Sequence, residues 1–184
     1  MQRVRRIRTT FHGGMILCGL LLVFLTTREG TATTELAAGT QVDLDNATLQ
    51  AVLDTFRWAD EAVQTKNGDD IMAFYSEEYD YHGLKKADIR KVWIDLFDEF
   101  RDISTVHHLT KFTKVASGSK AIVEVTCTGS LSGISKTSGL SVPIDSWSDE
   151  VHYFMFEDGR WRIRGNVGES PRMMPFGTAP HPLF

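Results

Sequence analysis

Cysteine is nearly missing from this sequence: there are two in 184 residues, Cys18 and Cys127. No cluster of His, Cys and Asp has zinc-ligand spacing, so no metal centre is expected. Long apolar runs are missing too. The longest, Met15 to Leu25, falls well short of the ~20 residues a membrane-spanning helix takes. There is no G-x-S-x-G elbow and no ordered triad, which removes that class of serine hydrolase. No glycine-rich loop is present to cradle a phosphate, and no cofactor is expected. A basic surplus is also lacking: 20 Lys and Arg face 24 Asp and Glu.

The basic charge that exists is concentrated at the start. Arg3, Arg5, Arg6 and Arg8 precede the apolar run, and Gly30-Thr31-Ala32 follows it with small side chains. That order is the layout of a secretory signal. We expect cleavage after Ala32, with Ala38 as the second position, and a periplasmic or secreted mature chain. Such a chain meets the membrane only through this segment; the alternative is an uncleaved N-terminal anchor. Leu17 before Cys18 argues against a lipoprotein, and Arg8 argues against twin-arginine export. Residues 1–32 hold five basic residues and one acid, so the remainder carries 15 basic against 23 acidic residues, net −8. A chain this acidic has no general attraction to phosphates, which argues against nucleic acid as a partner. Cys127 then stands alone and cannot form an internal disulfide. Its apolar strand pattern marks a buried thiol rather than a nucleophile.

Residues 33–44 are rich in Thr, Ala and Gly without a period and are expected to form a flexible linker. Asp45 or Asn46 then caps a helix whose stripe is Leu49, Val52, Leu53, Phe56, Ala59 and Val63. Trp58 lies nearly opposite that stripe. Asn67-Gly68 ends the helix, and Asp69 or Asp70 caps a short second one. A third follows the segment YSEEYDYHG, with Ile89, Val92, Trp93, Leu96, Phe97 and Phe100 on one face. Strands are expected at 105–115, 120–131, 150–156 and 160–164, with Asp158-Gly159 as a hairpin turn. The polar Gly/Ser stretch 132–147 is expected to be a long loop, and the tail 167–184, with four of the five prolines, irregular. Helices first and an antiparallel meander after them make an α+β class, with three N-terminal helices packed on a curved antiparallel sheet.

This order resembles the NTF2-like superfamily, the cone-shaped α+β fold of SnoaL-like proteins and ketosteroid isomerases. GDDIMAFYSEEYDYHG is similar to the family's small helix and short strand pair at the cone mouth, KADIRKVWIDLFDEF to its third helix, and EDGRWRIRGN to its closing hairpin. The resemblance covers residues 45–166. It implies a pocket between the helices and the sheet, and that a homodimer through the sheet is common. It does not imply a reaction, since this fold hosts many.

Acid–base work needs a titratable group poised near neutral pH, which histidine provides without tuning. Asp80 and His82 share a side if their segment is extended, with Tyr79 and Tyr81 on the other. His107 and His108 point to opposite faces of a strand, so one of them can enter the pocket. His152 alternates with Phe154 and Phe156. The candidates are therefore Asp80, His82, His108 and His152 for catalysis, and Tyr79, Tyr81, Trp93 and Phe97 for lining a ligand. With no catalytic set of any subfamily matched, the preferred expectation is a pocket that binds a small hydrophobic molecule or a protein partner without catalysis. The alternative is a cofactor-independent isomerase, dehydratase or cyclase.

Overall fold

The computed structural model describes residues 32–81, 83–117 and 120–165. Residues 1–31 of the expected signal, residue 166, the expected tail 167–184, and His82 lie outside the described residues. In chain order the elements are β1 (Thr33–Asp43), α1 (Asn46–Gln64), α2 (Gly68–Ala73), β2 (Asp80–Tyr81), β3 (Leu84–Lys85), α3 (Lys86–Glu99), β4 (Phe100–Ser117), β5 (Lys120–Ser135), β6 (Ser141–Glu157) and β7 (Arg160–Gly165). Among the described residues no helix is long and apolar enough to cross a membrane.

The first element is a strand, where a flexible linker and then helices were expected. β1 runs parallel to β4, from Thr33 opposite Val106 to Asp43 opposite Thr113. Gly39, at φ 82°, takes up a register shift between Leu36 and Gln41. The Thr40 hydroxyl donates to the Leu109 carbonyl at 2.8 Å and ties the strand to its neighbour. β1 escapes sequence analysis because backbone pairing holds it with little side-chain burial: Leu36 and Val42 stay 44% and 42% exposed. Without a buried face there is no alternation to detect.

The helices follow their expected stripes. Asp45 accepts from the Thr48 amide at 2.9 Å and caps α1, which buries Val52, Leu53, Phe56, Ala59, Ala62 and Val63. α2 is capped by Asn67, whose side chain accepts from the Asp70 amide, rather than by Asp69 or Asp70. A parallel bridge between Tyr75 and Ile163 joins the helical layer to β7, with the Ser76 amide on the Ile163 carbonyl at 2.8 Å and the Ile163 amide on the Phe74 carbonyl at 2.9 Å. Phe56, Phe74 and Phe154 fill the space between the layers, with ring centroids 5.1 to 6.2 Å apart.

The five-stranded sheet has the order β1-β4-β5-β6-β7, and its last four strands form an antiparallel meander. The stretch 132–147 is not a long loop. β5 continues to Ser135 and β6 begins at Ser141, leaving a short turn. The small residues there serve close packing: Gly133 sits against the Phe100 ring. Register shifts interrupt β4, β5 and β6, and such bulges bend a sheet and re-aim its side chains. On β6 the bulge has a visible effect. Cys127 pairs with Glu150 and Gly129 with Trp147, so β6 spends one residue more than β5 over this span. Asp149 absorbs it at φ 52°, its amide bonded to Thr128 Oγ1 at 2.9 Å. Trp147 and Glu150, three apart, therefore share the helix-facing side.

Gly129 is the other half of this device. A Cβ there would overlap both the Trp147 ring and the Val106 carbonyl oxygen. Gly129→Ala should destabilise the fold by about 1–3 kcal/mol through overpacking and shift tryptophan emission as the indole moves. Chemical denaturation followed by fluorescence checks both effects, and an unchanged midpoint would contradict this packing.

Candidate functional site

The helix-facing side of the sheet carries polar groups that an apolar core does not need. His107 on β4, Cys127 on β5 and His152 on β6 are fully buried, and Asp60 reaches them from α1 with only 6% exposure. Asp60 follows Phe56 by one helical turn and precedes Val63 by three residues, so it sits within the apolar stripe. Its carboxylate is surrounded by donors. Thr105 Oγ1 donates to Oδ1. Thr34 Oγ1 donates to Oδ2 at 2.7 Å. His107 Nε2 lies 3.5 Å from Oδ1.

The other edge of the imidazole faces sulfur. His107 Nδ1 lies 3.7 Å from Cys127 Sγ, and the Trp147 indole N–H donates to the same sulfur at 3.2 Å. The rings of Phe56 and Trp147 stand 5.2 and 5.4 Å from the imidazole. Asp60, His107, Cys127 and Trp147 thus form a polar line through an aromatic interior. A carboxylate beside Nε2 favours the tautomer with its proton on that nitrogen and Nδ1 toward the sulfur. Burial pushes the Cys127 thiol up to about 12, against the opposing pull of the Trp147 N–H. The sulfur stays protonated at neutral pH and is a poor nucleophile.

A second acid–base pair lies close by. The Tyr81 phenol donates to Glu150 Oε1 at 3.3 Å, and Glu150 stands directly across from Cys127. Tyr75 accepts from the Trp93 indole at 2.8 Å and meets Tyr79 edge to face at 5.0 Å. Burial raises the Tyr75 and Tyr79 phenols well above their ordinary value, so they serve as hydrogen-bond groups rather than bases.

Of the residues singled out in the sequence, His152, Tyr79, Tyr81 and Trp93 are inside, and Phe97 is partly buried against Trp93 with centroids 5.4 Å apart. Asp80 is not in the site. It is exposed, ion-paired to Lys85 and bonded to the Gly83 amide at 3.0 Å, and these contacts hold its carboxyl below the usual range. His108 also points away, its Nδ1 2.8 Å from Glu35 Oε1 on the outer face between β4 and β1. His107 is the inward histidine of the two. Sequence reasoning missed Asp60, Thr34, Thr105, Trp147 and Glu150. Asp60 had a readable signal, since it is an acid on the apolar stripe. Among the described residues no group of three or more His, Cys, Asp or Glu could hold a metal ion.

A sequence profile for the SnoaL-like domain matches residues 55–163, more than half of the chain. The chain belongs to the SnoaL-like family. Two solved structures agree on the fold at low identity. Aln2 from a Streptomyces species is 12% identical with a TM-score of 0.51, over 68% of this chain and 92% of that one. A protein from Planctomyces limnophilus is 10% identical with a TM-score of 0.51, over 66% and 94%. A type 2 hexachlorocyclohexane dehydrochlorinase is 13% identical with a TM-score of 0.45, over 65% and 82%. No curated protein matches. The SnoaL-like domain begins inside α1, so β1 lies outside the matched residues.

The buried thiol has a measurable signature. Above about pH 9 the unfolded chain loses the Cys127 proton while the folded chain keeps it up to about 12. The folded state then holds more protons, so stability falls as pH rises, by at most about 1.4 kcal/mol per unit. Urea unfolding between pH 8.5 and 10 should show this slope on top of the one the buried tyrosines add, and Cys127→Ala should make it shallower. Equal slopes would contradict the burial of this thiol.

Proposed function

We propose that this SnoaL-like protein is an exported, cofactor-independent enzyme that moves a proton on a small, largely apolar molecule bound between the helices and the sheet. The observation that carries this reading is the Asp60–His107 pair, a carboxylate held by two threonine hydroxyls and facing an imidazole in an aromatic interior. A base oriented by a second group is the recurring arrangement of general acid–base catalysis. His107 takes the substrate proton, and Asp60 stabilises the imidazolium that results. Phe56, Phe74, Phe154 and Trp147, buried around the pair, favour an apolar substrate. The pair moves the balance away from binding without catalysis, the preferred expectation at the level of sequence, because a pocket that only holds an apolar ligand has no use for it.

The test is carbon–deuterium exchange and elimination in heavy water, followed by NMR over a panel of small enolisable ketones and β-hydroxy carbonyl compounds. A turned-over compound should lose roughly 10²–10⁴-fold in rate with Asp60→Asn or His107→Gln while its binding changes little. Compounds that bind tightly, undergo no exchange and ignore both substitutions would establish a non-catalytic pocket instead.

A further inference from the structure

Thr105 and His107 lie within the matched SnoaL-like domain, and Thr34, the remaining donor to Asp60, does not. It comes from β1, the strand that precedes the domain. Its position is set by register: Thr34 is the parallel-ladder partner of His107, so both side chains face the helices. A slip of one residue would turn the hydroxyl away. The register shift at Gly39 and the Thr40 bond to the Leu109 carbonyl hold that alignment from the far end of the strand.

Thr34 has a competitor to exclude. Thr105 fixes only Oδ1, and a carboxylate turns freely about its last bond unless both oxygens are held. On the outer side of Asp60 lies a surface cleft of about 350 Å³, lined by Thr33, Thr34, Arg57, Glu61 and Gln64. Asp60 itself lines this cleft, so water there competes to draw the carboxylate outward, while the Arg57 guanidinium is held by Asp54 at 2.7 Å. We propose that Thr34 is a positioning residue for the Asp60–His107 pair, which makes β1 part of the site and leaves the site incomplete until that strand has docked on β4. The proposal rests on the acid–base reading above. It adds that the SnoaL-like domain without its preceding strand holds the carboxylate wrongly.

Nitrogen-15 NMR of the imidazole in the full chain tests this. In the unaltered protein His107 should show the Nε2–H tautomer with a slowly exchanging proton. Thr34→Val removes the hydroxyl at nearly constant volume and should speed that exchange on the order of tenfold, with a mixed tautomer, while Thr34→Ser restores the original signals. Thr40→Ala is the control for loosening β1 without touching Asp60, and amide exchange across Val106 to Leu109 reports whether the ladder is closed. A Thr34→Val spectrum like that of the unaltered protein, or one reproduced by Thr40→Ala, overturns the proposal. Asp60→Asn separates the two levels. If it abolishes the tautomer preference and Thr34→Val does not, only the positioning role fails; if it has no effect, the pair itself is refuted.

Discussion

The constraint on which the site depends is a carboxylate placed where the fold buries its first helix. An ionised group taken out of water costs several kcal/mol unless donors replace its hydration. Asp60 has them from two strand residues, the hydroxyls of Thr34 and Thr105, with the His107 imidazole 3.5 Å away. These donors tie α1 to β4 and β4 to β1, so meeting one electrostatic requirement fixes the relation of three elements. Stability alone does not call for such a pair, because well-packed apolar residues commonly serve as well or better. Its presence in an aromatic interior is the physical argument for chemistry.

Irregular strands build the rest of the site. A regular strand cannot turn residues three apart to one face, yet Trp147 and Glu150 both face the helices because Asp149 absorbs an extra residue. Gly129 leaves room for the indole, and the indole N–H reaches the sulfur that covers His107 Nδ1. A similar shift between Leu109 and Lys111 decides which histidine points inward. Regular alternation counted back from buried Phe112 would select His108; the bulge selects His107.

That is also where the sequence stopped being legible. The α1 and α3 stripes, the mouth hairpin and the closing Asp158-Gly159 turn carry local signals, and the α+β class and family resemblance follow from them. β1 carries none, because an edge strand held by backbone bonds needs no apolar face. Bulges carry none either, so the inward set on β4 and β6 could not be counted. Asp80 looked chemical because it stands among tyrosines, but those tyrosines seal the interior and leave it outside with Lys85. Asp60 could have been found by asking why an apolar stripe tolerates an acid.

The central claim is that Asp60 and His107 act as one unit. A double-mutant cycle in urea at neutral pH, with Asp60→Asn, His107→Gln and both together, measures it directly. The account predicts that the two losses fail to add by about 1 kcal/mol or more, as expected for groups that share an interaction. Additivity within about 0.3 kcal/mol would contradict it and reduce the pair to two neighbours in a core.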